Sequence, residues 1–488
     1  MTKTTIDIQA FINEHPFTRY QWMILALCFI TVAMDGFDTA IIGFIASDLV
    51  QEWGVEKSAL GPVMSAALVG LAVGALTAGP LADRIGRKKV LIMSIVVFGG
   101  FSLLTAFATS LNQLTLLRFL TGLGLGAAMP NAATLMSEYA PERRRALLVN
   151  LMFVGFPMGS SLGGFLSAWM IPHYGWQSVL VLGGVMPLLL AVALIFLLPE
   201  SVRYLVVKQH PAQRIAAILR HIAPLPKAVE FVLREAGQVK EKSAIGVIFS
   251  PRYAVGTVML CLTYFMGLLI FYLLTSWLPL LIRETGASMS QASIITALFP
   301  LGGGIGVLIL GALMDKINPN KVVAVGWLLT GVFVCLVGFS TSSLALMGVM
   351  VFIAGSIMNG AQSSMPALAA GFYPTQGRAT GVAWMLGIGR FGGILGAFSG
   401  AFLMQAQLSF ETIFTLLAIP AFLSAFALLI KYRVSKSVPA TTEPYKPAPR
   451  AGFAAFFLSV YKNFRSHLIA LIIILLGYAA VWLSGQIR

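Results

Sequence analysis

The chain has 488 residues, of which 58% are hydrophobic and only 10% carry a charged side chain. Soluble domains contain about 25% charged residues, so this composition excludes an ordinary soluble enzyme and indicates a multi-pass membrane protein. The formal net charge of +15 would suit a nucleic-acid-binding protein, but the distribution of the basic residues along the chain excludes that interpretation.

Apolar segments of about 20 residues, each long enough to cross a bilayer as a helix, recur twelve times. With the N-terminus in the cytoplasm, nearly all Lys and Arg residues fall in cytoplasmic segments, and the external loops hold Lys57 and Arg283 alone. This asymmetry follows the positive-inside rule, so the basic charge is a signal of topology. The predicted spans begin near residues 21, 59, 89, 112, 146, 178, 254, 290, 321, 344, 378 and 410.

The first predicted span contains two acidic residues, Asp35 and Asp38, within an apolar run. Residues three positions apart lie on one face of a helix, about 5–6 Å apart between Cβ atoms. Acidic side chains inside a membrane are costly and occur mainly where they face a cavity, a partner or a proton path. We interpret the pair as a functional site; the alternatives are a cap on a broken helix or a water-filled vestibule.

A basic motif from Gly79 to Lys89 follows the second predicted span, which is rich in small residues that allow close helix packing. The motif matches the pattern G-x-x-x-D-R-x-G-R-K/R-K/R at every fixed position and resembles the cytoplasmic loop motif of the major facilitator superfamily. The resemblance implies a transporter that alternates between two conformations. It also implies that Asp83, Arg84 and Arg87 form charge pairs that hold the cytoplasmic side in one state.

A degraded copy of the motif, from Gly311 to Lys321, follows the eighth span and indicates two parallel repeats of six spans. In the register of this repeat, Asp35, Asp38, Arg118 and Arg390 all correspond to uncharged residues in the other half. Charges needed only to fold the repeat would tend to recur in both halves. The four buried charges are therefore better explained by function.

These patterns predict an all-α polytopic membrane protein with the major facilitator fold. An apolar run at 467–484 is predicted to form a thirteenth hydrophobic helix, although it is short for a bilayer crossing and an interfacial hairpin is the alternative. The predicted parts are a cytoplasmic N-terminus at 1–20, a six-helix bundle at 21–199, a cytoplasmic linker at 200–253, a second six-helix bundle at 254–432, and a linker at 433–466.

Two intramembrane arginines have separate predicted roles. Arg118 resembles the fourth-span arginine that the superfamily associates with proton coupling; the alternative is a structural arginine bonded to backbone carbonyls or reaching out of the membrane. Arg390 lies in a glycine-rich run, 387–392, which lacks the strand that a dinucleotide loop needs. A planar guanidinium can bind a carboxylate through two hydrogen bonds, so Arg390 is predicted to bind a substrate carboxylate, or else to pair with Asp35 or Asp38.

The run Asp35–Ala46, together with Leu60–Ala67 and Arg118–Arg143, resembles the aromatic acid:proton symporter family, over about residues 12–435. The similarity is greatest to bacterial members that carry 4-hydroxybenzoate or protocatechuate. It implies proton-driven import across the bacterial inner membrane by a functional monomer, without a cofactor, metal or nucleic acid. The positions that matter in that family correspond here to Asp35, Asp38, Asp83, Arg118, Asp315, Arg378 and Arg390.

The predicted site residues fall into three groups. Aromatic residues in spans are more often core or interface residues than ligand contacts, which is the alternative for each aromatic member. The predicted groups are proton coupling by Asp35, Asp38 and Arg118; substrate binding by Arg390, Asp38, Phe37, Tyr264, Tyr272, Trp277, Asn359 and Gln362; and conformational gating by Asp83, Arg84, Arg87, Glu138, Asp315 and Arg378.

Other functions remain open at this point. The run Gly155–Gly159 in the fifth span is loosely similar to the glycine-proline motif of proton antiporters, so proton-coupled export is one alternative. Import of a related acid, such as muconate, benzoate or vanillate, is another. An enzyme is disfavoured, because the sequence has no H-E-x-x-H motif, no P-loop and no soluble domain large enough for catalysis.

Overall fold

The computed structural model describes residues 4–226, 229–232, 244–314 and 316–437. Asp315 and the predicted thirteenth helix at 467–484 lie outside these residues. In chain order, the first part contains β1 (Thr4–Asp7), α1 (Ile8–Glu14), α2 (Arg19–Trp53), α3 (Gly61–Ile85), α4 (Arg87–Thr105), α5 (Leu111–Tyr139), α6 (Arg145–Phe153), α7 (Gly155–Tyr174) and α8 (Trp176–Leu197). The remainder contains α9 (Val202–Val207), α10 (Ala212–Leu219), β2 (Val229–Val232), α11 (Ala244–Ile248), α12 (Ala254–Glu284), α13 (Met289–Met314), α14 (Pro319–Gly338), α15 (Leu344–Ala370), α16 (Thr375–Gln405) and α17 (Phe410–Ser437).

Eleven helical segments of the described chain are long and apolar enough to cross a membrane. Helix α5 has 29 residues and is long enough as well. Its mean hydropathy is lowered by polar and charged side chains, among them Arg118, Asn131 and Glu138. We therefore count twelve spanning helices among the described residues, six on each side of the segment that holds α9, α10, β2 and α11.

The two sets of six helices pack in the same way, as the sequence repeat predicts. In the first half α2 packs on α7, α3 on α5 and α4 on α8. In the second half the equivalent pairs are α12 with α16, α13 with α15 and α14 with α17. Small residues permit these contacts in lipid. At Gly36, for example, an added Cβ would collide with the backbone carbonyl of Phe156, so α2 and α7 meet main chain to main chain beside the two acids.

The halves contact each other through α2 with α12, α3 with α16, and α7 with α13. Side-chain contacts between them lie toward the ends remote from the N-terminus. Ser290 Oγ donates to the Ala168 carbonyl at 2.7 Å, Ser161 Oγ donates to the Ala297 carbonyl at 3.0 Å, and Lys57 forms an ion pair with Glu284. The two bundles are therefore closed against each other at that end.

The opposite end carries a small sheet that an all-α prediction misses. Strand β1 pairs in parallel with β2, with Thr4 opposite Val229. The N-terminal segment also contacts the first bundle, since Arg145 Nη2 donates to Gln9 Oε1 at 2.7 Å. The N-terminus and the segment between the bundles thus pack together rather than extending separately.

Candidate functional site

Helix α2 runs without a break through Asp35 and Asp38, so the predicted alternative of a cap on a broken helix does not apply. Both side chains are buried, with Asp35 2% and Asp38 0% exposed. Their surroundings differ, however, and the difference separates the two acids chemically.

Asp38 forms an ion pair with Arg118 of α5. Arg118 Nη1 donates to Asp38 Oδ1 at 3.1 Å, and Nη2 lies 3.0 Å from Oδ2. Nη2 also donates to the backbone carbonyl of Asp38 at 3.2 Å. Neither side chain is more than 1% exposed. Two buried charges are tolerated only when they are paired and hydrogen-bonded. Here Asp38 Oδ1 accepts the hydrogen bond from Arg118, whereas Asp38 Oδ2 and Arg118 Nε have no hydrogen-bond partner among the described residues.

A third helix contributes to the same carboxylate. Ser102 Oγ of α4 donates to Asp38 Oδ1 at 2.8 Å, and Ser102 is itself fully buried. The Asp38 carboxylate therefore links α2, α4 and α5. Sequence reasoning predicted neither the pairing with Arg118 nor the contact from Ser102.

Asp35 has much weaker local compensation. Its one hydrogen bond from a side chain of the described chain comes from Thr39 Oγ1, at the long distance of 3.4 Å. No Lys, Arg or His nitrogen of the described residues lies within 4.0 Å of its carboxylate. Arg390 and Asp38 are its charged electrostatic neighbours. An unpaired buried carboxylate carries a large desolvation penalty, which protonation removes.

Arg390 belongs to a cluster with two tyrosines of α12. It is an electrostatic neighbour of both Tyr264 and Tyr272, and it is only partly buried. The glycines beside it make room for the tyrosine rings: an added Cβ at Gly393 would lie 2.7 Å from Tyr272 Cδ2. Within the described residues, Arg390 forms no ion pair. Its guanidinium is thus placed to receive an external anion.

The other predicted substrate contacts are divided between this cluster and the helix packing. Gln362 Nε2 donates to the Tyr264 carbonyl at 3.4 Å, so Gln362 belongs to the cluster. Asn359 donates to the Gly355 carbonyl of its own helix at 2.9 Å. Phe37 packs inside the first bundle against Gly163 and Gly183, and Trp277 is fully buried with its N–H on the Ala397 carbonyl at 2.7 Å. Phe37 and Trp277 therefore contribute to packing.

Several predicted gating residues meet at the end of the first bundle that holds the N-terminus. Arg87 lies 3.4 Å from Asp83 and 3.2 Å from Glu138. The side chain of Arg84 is exposed, while its carbonyl accepts a hydrogen bond from Tyr204 Oη at 3.2 Å. Arg378 is exposed on α16, and Asp315 is not among the described residues.

The same network includes two residues that sequence reasoning missed. Ser201 donates to the Glu138 carboxylate, and Glu200 Oε1 accepts from the backbone N–H of Lys88 at 3.0 Å. The Tyr139 hydroxyl also donates to the Glu200 carbonyl at 2.7 Å. The loop motif is therefore held by the start of the segment that connects the two bundles.

The described residues thus form a two-by-six helix bundle with a buried acid–arginine pair and a partly buried arginine, Arg390, that makes no ion pair among them, as in a membrane transporter. The sequence model of one protein family, the Major Facilitator Superfamily, matches residues 28–284 and 260–486 of this chain. The chain belongs to this superfamily, and the predicted fold class is confirmed. Among solved structures, that of a D-xylose–proton symporter has a TM-score of 0.66, covering 84% of this chain and 97% of the other. At 18% identity, that likeness shows the fold alone.

Among similar proteins, the 4-hydroxybenzoate transporter PcaK of Pseudomonas putida is 56% identical, covering 88% of this chain and 97% of its own. The gallate transporter of the same organism is 49% identical, covering 90% and 98%. The benzoate transport protein of Acinetobacter baylyi (strain ATCC 33305 / BD413 / ADP1) is 35% identical, covering 86% and 91%. The predicted resemblance to transporters of aromatic acids is confirmed at the level of family.

Proposed function

We propose that the protein imports a hydroxylated benzoate, with 4-hydroxybenzoate as the first candidate, together with protons across the bacterial inner membrane. The observation that carries the proposal is the contrast between the two buried arginines. Arg118 forms an ion pair with Asp38, whereas Arg390 lies beside two tyrosines without an ion-pair partner in the described chain. The identity to the 4-hydroxybenzoate transporter of Pseudomonas putida supports the choice of substrate.

Arg390 supplies the chemistry that a benzoate needs. A guanidinium binds a carboxylate through two parallel hydrogen bonds, and the rings of Tyr264 and Tyr272 offer flat apolar surface with hydroxyl groups at their edges. Gln362 adds an amide at the same place. In this proposal the carboxylate lies on Arg390 and the aromatic ring lies against the tyrosines.

The two acids supply the proton site as a pair. In this proposal Asp35 takes the proton, because Asp38 is paired with Arg118 and Asp35 has no ion-pair partner among the described residues. Import of an anion against an inside-negative potential costs about 2.3 kcal/mol per 100 mV, and one co-transported proton cancels this cost. A second proton would make the cycle electrogenic in the direction of uptake.

Arg390 couples the two sites in this proposal, because Asp35 and the substrate carboxylate are both anions near the same guanidinium. When Asp35 is ionised, it competes with substrate for Arg390. When Asp35 is protonated, Arg390 is free to bind the carboxylate. Proton binding and substrate binding thereby favour each other, as a symporter requires.

The conformation follows from the topology. If the N-terminus is cytoplasmic, the closed end that holds the Lys57–Glu284 pair is the external end. The Arg87–Glu138 and Arg87–Asp83 pairs then belong to the cytoplasmic gate of the first bundle. We propose that the protein works as a monomer and needs no cofactor, since the proton gradient drives transport.

Uptake into proteoliposomes across a panel of acids tests the proposal. With a proton gradient directed into the vesicles, radiolabelled 4-hydroxybenzoate should accumulate inside them. Addition of a protonophore should abolish this accumulation. Benzoate, gallate, vanillate and muconate rank the alternatives in the same assay. Accumulation of muconate alone would move the substrate outside the benzoates, and extrusion in place of uptake under the same gradient would favour the exporter.

A further inference from the structure

Ser102 donates the one hydrogen bond that the Asp38 carboxylate accepts from an uncharged side chain of the described chain. Arg118 has only donors, so it stabilises an anion alone. A hydroxyl adds a further donor to the anion without adding a charge. At present Ser102 Oγ donates to Asp38 Oδ1 at 2.8 Å, on the oxygen that also accepts from Arg118 Nη1 at 3.1 Å.

The burial of this contact gives it weight. Ser102, Asp38 and Arg118 are all 0% exposed, so water does not substitute for a lost donor. Ser102 lies on α4, whereas Asp38 lies on α2 and Arg118 on α5. Its hydroxyl fixes the position of the carboxylate from a third direction, on the side of Gly183 of α8.

We propose that Ser102 is a positioning residue of the proton-coupling site, which sets how readily the Asp35/Asp38 pair releases its proton. This inference rests on the proposed proton-coupled transport. With the Ser102 donor in place, the negative charge of Asp38 is well compensated, and the pair can give up its proton to the cytoplasm. Without it, the pair retains the proton, and the return of the empty carrier is slowed.

The chain offers a matched control. Ser94 lies on the same helix and is also buried, but its hydroxyl donates only to the Val90 carbonyl of its own helix at 2.7 Å. Ser94→Ala therefore removes the same atoms from α4 without touching the charge pair. Ser102→Thr keeps a hydroxyl at the tested position.

Two transport modes separate the proposed role from a structural one. Exchange of labelled for unlabelled 4-hydroxybenzoate across proteoliposomes does not require the carrier to release its proton, whereas accumulation requires a release in every cycle. Ser102→Ala should lower the initial rate of proton-driven accumulation about tenfold, the scale of one lost hydrogen bond to a charged group, and leave exchange within about twofold of the parent. Ser102→Thr should recover accumulation, and Ser94→Ala should match the parent in both modes.

Equal loss of accumulation and exchange in Ser102→Ala, or unchanged accumulation, would overturn the assignment. If Ser102→Ala is not recovered as a monodisperse protein, Ser102→Cys keeps the volume with a weaker donor and should show the same selective loss to a smaller degree. A parent protein that exchanges 4-hydroxybenzoate but never accumulates it would instead refute the proposed proton coupling itself, independently of Ser102.

Discussion

The two acids of α2 are predicted to differ sharply when each is replaced by its amide. Asp38→Asn leaves Arg118 as a buried cation whose partner has lost its charge, with both side chains no more than 1% exposed. Removing one member of a buried ion pair costs about 3–5 kcal/mol, because the remaining charge is left uncompensated. Asp35→Asn breaks no ion pair and exchanges one long hydrogen bond from Thr39, so its cost should stay below about 1 kcal/mol.

Thermal unfolding of the purified protein in detergent, followed by intrinsic fluorescence, measures this difference. We expect Asp38→Asn to melt well below the parent and Asp35→Asn to melt close to it. The double variant Asp38→Asn/Arg118→Met removes both charges and should recover much of the lost stability, since buried pairs can often be replaced by uncharged groups. Equal melting temperatures for the two single variants, or a double variant less stable than Asp38→Asn, would refute the assignment of the ion pair.

Three further predictions concern the substrate, the closed end and the tail. Arg390→Lys keeps the positive charge but loses the planar guanidinium, so calorimetry should show 4-hydroxybenzoate binding weakened by about 1.5–3 kcal/mol. A neutral aromatic amide should bind to this variant as it does to the parent. Unchanged affinity for 4-hydroxybenzoate would remove Arg390 from the site. Lys57→Glu and Glu284→Lys should each weaken the closed end slightly and change transport by less than about fivefold, because the pair is partly exposed and worth at most about 1 kcal/mol. The double reversal should restore the parent rate, and additive losses would contradict the pairing. Truncation after Ser437 should leave uptake intact, since the proposed site lies before it, and loss of uptake by a monodisperse truncated protein would assign a role to the tail.

The helices and the repeat could be predicted from the sequence because both are local patterns. Apolar length identifies each span, and the recurrence of the Gly79 motif at Gly311 sets the two halves in register. The packing of equivalent helix pairs then follows the repeat. The short β1–β2 pair could not be predicted this way, because its strands are four residues long and far apart in the chain.

The site residues could be nominated from the sequence, but their partners could not. Asp38 and Arg118 stand out as charges in apolar spans, yet they are 80 positions apart and nothing in the pattern joins them. By sequence, Arg390 is the arginine that the alternative prediction pairs with one of the acids, whereas the structure places Arg118 in ion-pair contact with Asp38. Ser102 and Ser201 carry no charge and have no distinctive spacing, so only the tertiary structure shows that they contact Asp38 and Glu138.

Proton movement on addition of substrate tests the central claim most directly. De-energised cells or proteoliposomes in weak buffer should show alkalinisation of the medium when 4-hydroxybenzoate is added to the parent protein, because each imported substrate brings protons with it. Asp35→Asn should abolish this signal while exchange of labelled for unlabelled substrate continues. Alkalinisation by Asp35→Asn equal to that of the parent would contradict the account, because the proton would then be carried elsewhere.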